Sequence, residues 1–225
     1  NGGSTQYDSD ETSVVRAGEA RESARIIGAT WHPPITDDLE IFYDEKLLRK
    51  VAAVIREVKP SIVLTHPVED YMEDHMNTSR LAVTAAFSRG MPNYRTSPRR
   101  QPVQTPVTVY HANPHGLRDG LRRRIIPGAF IDTSAVHECK RAALACHASQ
   151  KAWLDATQGM DSYLVAMDEF SRAVAALSGE FQHAEGWRRH SHLGFCGEAD
   201  DPLRTALGSR FLLNPNYEQM LERGY

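Results

Sequence analysis

Ser61-Ile62-Val63-Leu64-Thr65, then His66-Pro67-Val68, then Glu69-Asp70-Tyr71-Met72-Glu73-Asp74-His75: this stretch decides the fold. The first five residues are short, β-branched and apolar at successive positions, which is how a parallel strand covered by helices reads. The acidic run after them is then the loop at the strand's carboxyl end. In open α/β sheets ligands and metals bind there, and a histidine flanked by carboxylates can offer a neutral imidazole to a divalent cation.

Working outward, helices and strands alternate. Upstream, Val14, Val15, Ala17, Ala20, Ala24 and Ile27 form a helical stripe with Gly28 as the stop. Leu47, Leu48, Val51, Val54, Ile55 and Val58 mark a second amphipathic helix, closed by Pro60. Downstream, Leu81 to Phe87 continues a helix to Gly90, and Val107-Thr108-Val109-Tyr110 and Ala129-Phe130-Ile131-Asp132 are strands. Helices are expected over Ala135 to about Ala156 and over Tyr163 to Leu177. The tail from Gly179 reads as irregular, with a short helix at Asn216 to Glu222. The expectation from this alternation is α/β, βα architecture in one domain over residues 1–225.

Composition excludes several classes. The formal charge of −3 leaves no electrostatic footprint for nucleic acid, and Arg99-Arg100 and Arg122-Arg123-Arg124 read as solvated loop charge. No apolar run approaches the ~20 residues a membrane-spanning helix needs. Three cysteines, Cys139, Cys146 and Cys196, form neither a paired framework nor a CxxC site and suit a reducing cytoplasm. The chain opens on Asn1-Gly2-Gly3, polar and glycine-rich to about Ser13, so the expectation is that residues precede it.

Further motifs share the order of the first: Arg16 and Glu19 as R-x-x-E on the first helix, then Ile131-Asp132-Thr133-Ser134, then Cys146-His147-Ala148-Ser149-Gln150 with Trp153, then Ala184-Glu185-Gly186-Trp187-Arg188. Together with Asp70-Tyr71-Met72-Glu73-Asp74-His75 they resemble the zinc-dependent N-deacetylases of the LmbE and PIG-L family. The resemblance implies a Rossmann-like, mostly parallel sheet flanked by helices, LmbE-like, holding one Zn²⁺ by His, Asp and His. His75 matches the third ligand. The first two, and the aspartate that serves as general base, belong to a His-Pro-Asp-Asp segment absent from these residues; the resemblance places it upstream of Asn1, in a first β-α-β unit.

The resemblance implies catalytic positions at Asp74 and Asp70, with Asp74 orienting an imidazole or electrophile, and substrate contacts at Arg16, Glu19 and Asp38. Glu185 and Arg188 are expected to close the fold by a buried ion pair, and Trp153 and Trp187 to be core aromatics. His66-Pro67-Val68-Glu69-Asp70 imitates the missing segment but stands in the wrong place in the order. His66 is therefore expected to be a strand-end histidine that bonds locally. Met72 stands where many relatives carry a histidine that protonates the leaving amine, and the candidates to replace it, His111, His115, His147 and His192, are not separated by sequence.

The implied activity is removal of an acetyl group from the amide nitrogen of an N-acetylated sugar or glycoconjugate by a cytoplasmic hydrolase, with no nucleic-acid or membrane partner and a homo-oligomer left open. Two alternatives stand beside it: an inactive sugar-binding or scaffold relative, and an amidohydrolase of a small non-sugar amide.

Overall fold

The computed structural model describes residues 1–158 and 163–223. Its contacts divide into two compact units, Asn1–Leu39 with Asp132–Ala184, and Glu40–Ile131 with Glu185–Tyr225.

The first unit is built on helices: α1 (Ser9–Ile26), α4 (His137–Ala145), α5 (Ala148–Gln158) and α6 (Tyr163–Ser178). α1 begins before the apolar stripe because Asp8 and Glu11 form a capping box, each side chain accepting from the other's backbone N–H. Val14, the first residue of the expected stripe, is 75% exposed. The single helix expected from Ala135 to Ala156 is two. The Tyr163 hydroxyl donates to the Leu144 carbonyl at the end of α4, and the Glu19 carboxylate accepts from the Ser149 backbone N–H (2.8 Å) and hydroxyl (2.7 Å) at the start of α5. Groups distant in sequence thus satisfy the backbone ends that a helix break exposes.

The second unit carries the sheet. Its elements are α2 (Glu45–Val58), β1 (Ile62–Thr65), α3 (Glu73–Phe87), β2 (Thr108–Ala112), β3 (Ala129–Asp132), β4 (Ala184–Arg189), α7 (Pro202–Leu207), β5 (Phe211–Leu213) and α8 (Pro215–Arg223); the terminal Asp132 and Ala184 belong to the first unit. Asp44 caps α2 by accepting from Leu47 N–H at 2.7 Å, and Lys59 in the left-handed region ends it just before Pro60. Ala52, Ile55 and Ala85 bury α2 against α3, while Ala86, Val107, Val109 and Phe195 bury α3 and β2, with Val63 of β1 packed on both groups.

The strands run β1-β2-β4-β3-β5. The α/β expectation holds, with a mixed sheet. β1 and β2 are parallel, Ile62 opposite Thr108 through Thr65 opposite His111, whereas β2–β4 and β3–β5 are antiparallel. β1 lies at one edge of the order, and its Leu64 is 51% exposed, so the strand is not covered on both faces as its apolar run suggested.

The tail expected to be irregular supplies β4 and β5, and β4 lies between β2 and β3. Its sequence, Ala184-Glu185-Gly186-Trp187-Arg188-Arg189, has neither a β-branched run nor clean alternation. Two buried arginines bind this unit's loops. Arg89 donates to the carbonyls of Thr105, Ala86 and Phe195 at 2.7–3.0 Å, and Arg56 to those of Arg100, Ser88 and Met91 at 2.8–3.0 Å. Among the described residues no helix is long and apolar enough to cross a membrane.

Candidate functional site

β1 ends at Thr65, and the chain turns through residues 66–72 into α3, whose first residues are Glu73, Asp74 and His75. Asp70 is 5% exposed. Its carboxylate accepts the Met72 backbone N–H at 3.0 Å and lies 3.1 Å from His75 Nδ1. The orienting contact expected of Asp74 and Asp70 is made to His75 by Asp70. Asp74, next to His75 in sequence, is instead buried in the first turn of α3.

A carboxylate can only accept here, so His75 carries its proton on Nδ1 and presents the Nε2 lone pair. That is how metal-binding histidines are held by a supporting carboxylate. The His75 side chain is 30% exposed, so Nε2 is reachable. Among the described residues, however, no group of three or more His, Cys, Asp or Glu is arranged to hold a metal ion. One donor and its support are in place, and these residues do not by themselves complete a coordination sphere.

His66 is exposed and stacks on His75, with ring centroids 4.5 Å apart and planes 9° from parallel. Its backbone carbonyl accepts from His111 Nδ1 at 3.0 Å. His111 is 4% exposed, and its Nε2 meets His190 Nδ1 at 3.0 Å. Burial pushes the pKa of His111 below the ordinary histidine value, opposed by the bond to His66 and aided by His190 and Arg188; burial lowers His190 too. Both are therefore neutral at pH 7. A carbonyl cannot donate, so the pair's protons are assigned: His111 Nδ1–H to the carbonyl, His190 Nδ1–H to His111 Nε2, and a lone pair on His190 Nε2. His190 was not among the histidines singled out from sequence, because it follows a strand that sequence did not reveal.

These two histidines line a cavity of about 670 Å³, with Pro67, Val68 and Glu69 of the loop carrying Asp70 contributing to its wall. Arg188 lines it as well. Residues three apart on a strand point to opposite faces, so the expected Glu185–Arg188 pair does not form. Glu185 accepts from Trp187 Nε1 at 3.2 Å, and Arg188 Nε donates to the Ile126 carbonyl at 2.7 Å. Arg188 sits opposite His111 in the β2–β4 register.

The remaining predicted residues lie in the first unit. Arg16 Nη2 donates to the Gly3 carbonyl at 2.6 Å and Nε reaches Ser149 Oγ at 3.4 Å, while Glu19 is engaged by Ser149. Asp38 donates its backbone N–H to Asn1 Oδ1 at 2.9 Å. Arg16 and Asp38 converge on Gly2, whose φ is +52°. A Cβ there would stand 2.0 Å from Arg16 Nη1 and 3.2 Å from Asp38 Oδ2. Arg16, Glu19 and Asp38 thus stand close to the Asn1–Gly3 loop or to Ser149, and Asp70 and His75 form a separate pair in the second unit.

Residues 1–86 match the model of the family described as PIG-L, GlcNAc-PI de-N-acetylase. Among curated proteins, a 4-oxalmesaconate hydratase from Pseudomonas putida is 32% identical over 138 residues (61% of this chain, 51% of that protein). A diacetylchitobiose deacetylase from Thermococcus kodakarensis is 29% identical over 146 residues (62% and 51%). The chain spans about half the length of these curated relatives. Among solved structures, the N,N'-diacetylchitobiose deacetylase from Pyrococcus horikoshii superposes with TM-score 0.62 at 18% identity, covering 89% of this chain and 73% of that one. The Pseudomonas putida hydratase GalB does so with TM-score 0.59 at 23% identity, covering 82% and 75%. These structural likenesses bear out the LmbE-like α/β fold, and the resemblance to the LmbE and PIG-L family is borne out over residues 1–86.

Proposed function

We infer that this chain, whose residues 1–86 match the PIG-L family, forms part of a metal-dependent hydrolase that removes an acetyl group from the amide nitrogen of an N-acetylated sugar or glycoconjugate. The observation that carries the reading is His75 at the carboxyl end of β1, tied through Nδ1 to buried Asp70. That arrangement fixes one tautomer and directs Nε2 outward, where it would hold a divalent metal, Zn²⁺ in this reading, with further donors from outside the described residues. Such a metal, when bound with an open position, supplies a water acidic enough to act as nucleophile near neutral pH.

Amide hydrolysis also needs a proton delivered to the departing nitrogen. Met72 cannot donate one. His190 can, since its Nε2 lone pair takes up a proton while its Nδ1–H stays committed to His111. In the first unit, Arg16 and Asp38 remain proposed contacts for sugar hydroxyls, and the Glu19 carboxylate, already engaged by Ser149, would act by holding Arg16's surroundings in place.

One observation favours a second reading. The relative that is 32% identical is a hydratase, so addition of water to a carbon–carbon double bond competes with amide hydrolysis as the reaction class. The test is acetate release by the full natural protein, metal-replete, across a panel of acetamido sugars. Turnover that disappears in His75→Ala supports the deacetylase. No acetate from any member, with hydration of an unsaturated carboxylate instead, overturns it.

A further inference from the structure

The cavity beside the Asp70 loop has a charge that the deacetylase reading does not use. Arg123, Arg124, Arg188 and Arg189 line it, against two carboxylates, Glu69 and Asp119. A single arginine answers both of these: Arg123 Nε lies 2.6 Å from Asp119 and its Nη2 lies 3.5 Å from Glu69. Burial alone would raise the Asp119 carboxyl, but the N–H groups of Arg123 and Leu121 and the Arg123 guanidinium bring it below its ordinary value, so it is ionised and satisfied. His111 and His190 add no charge when neutral. Among the described residues no carboxylate forms an ion pair with Arg124, Arg188 or Arg189. Four guanidinium groups against two carboxylates thus leave a net positive charge of two on one cavity of a chain whose formal net charge is −3.

Arg188 is held as a binding group rather than left as a solvated side chain. Its Nε is bound to the Ile126 carbonyl, and its guanidinium carbon lies 5.0 Å from the centroid of the Tyr217 ring. The bond and the ring contact restrain the group. The four N–H bonds on its two terminal nitrogens make no protein hydrogen bond among the described residues. A guanidinium presenting that edge matches the two oxygens of a carboxylate or phosphate.

We propose that this cavity binds an oxyanion, carboxylate or phosphate, carried by a small molecule, with Arg188 as the fork and Arg124 and Arg189 supplying charge around it. That the oxyanion belongs to the substrate rests on the deacetylase reading. The site itself does not.

The test is calorimetric titration of the protein, at low ionic strength, with inorganic phosphate and separately with succinate. Saturable binding of at least one is expected, and the anion preferred distinguishes phosphate from carboxylate. Arg188→Met should weaken it by about tenfold or more, and Arg188→Lys, which keeps the charge and loses the fork, by less. Because Arg188→Met also removes packing against Tyr217, Arg124→Glu serves as a second variant and should weaken binding severalfold, while Arg204→Glu, the same charge change on α7, should not. No saturable binding of either anion, or equal weakening by Arg204→Glu, overturns the site. A turnover comparison tests the substrate assignment separately: N-acetylglucosamine 6-phosphate or N-acetylmuramic acid should be deacetylated faster than N-acetylglucosamine. Preference for the neutral sugar, with anion binding intact, overturns that assignment alone.

Discussion

His75 Nδ1 lies 3.1 Å from the carboxylate of Asp70, a residue five positions earlier that is almost wholly buried. This contact turns an exposed-face histidine into an oriented donor. Asp70→Asn keeps the shape and can still accept a hydrogen bond, but removes the carboxylate charge that holds the His75 Nδ1–H. Zn²⁺ affinity of the full protein, measured by chelator competition, should fall about 10- to 100-fold with the circular dichroism unchanged. Asp74→Asn should have the smaller effect on affinity, and the reverse order would transfer the supporting role to Asp74.

Acid should destabilise the fold through the histidines whose pKa the fold lowers, His183 first among them. His137 and His183 are buried and stacked, with centroids 3.6 Å apart, and His137 Nε2 is 2.8 Å from Asp168. Burial, then the neighbouring His137 and Arg172, lower the pKa of His183 from 6.5, against Asp168 and Glu138, which raise it. A histidine with a lowered folded-state pKa binds more protons when unfolded. Its contribution is therefore fully present above about pH 6.5 and is lost as the pH falls below it toward the folded-state value. His111 and His190 act in the same direction. Urea unfolding at pH 8 and pH 5.5 should show the loss, and His183→Phe should make the difference smaller. An unchanged difference would exclude His183 as a source.

Arg89 is 9% exposed and spends its guanidinium on backbone carbonyls drawn from three segments of the second unit. Arg89→Met removes one donor from each of these carbonyls, of which Phe195 keeps the Val107 N–H at 3.1 Å and Ala86 the Ser88 N–H, and should cost about 1–3 kcal/mol in urea unfolding. Arg89→Lys should recover little, since an ammonium lacks the planar geometry that reaches all of them.

Two glycines should respond oppositely to alanine. At Gly186 in β4 a Cβ would stand 2.4 Å from Asn113 Nδ2 and 2.9 Å from Pro127 Cγ, so Gly186→Ala should destabilise by about 1–3 kcal/mol. Gly18, inside α1, has nothing within 4 Å of that position, and Gly18→Ala should stabilise by about 1 kcal/mol. Thermal melts of the two variants check both signs.

What could be read from the chain followed the range of the forces involved. α2, β1 and β3 are written in local patterning, and their expected bounds are met within about two residues. β4 is not, because Glu185, Gly186 and Arg188 become a central strand only by pairing with partners far away in sequence. The break between α4 and α5 is equally hidden, resting on Tyr163 and Glu19 rather than on a proline or glycine. The candidate site divides the same way. His75 was legible from its acidic loop, whereas the partnership with Asp70 depends on the turn between them, and the His111–His190 bond depends on the strand order. Arg188 was visible in sequence but assigned to Glu185, which the alternation of a strand places on the opposite face.

Acetate release from acetamido sugars by the metal-replete full protein, wild type beside His75→Ala, tests the central claim most directly. Steady release by the wild type and loss of about a hundredfold or more in His75→Ala, with both proteins folded, are expected. Release that continues undiminished in His75→Ala would contradict it.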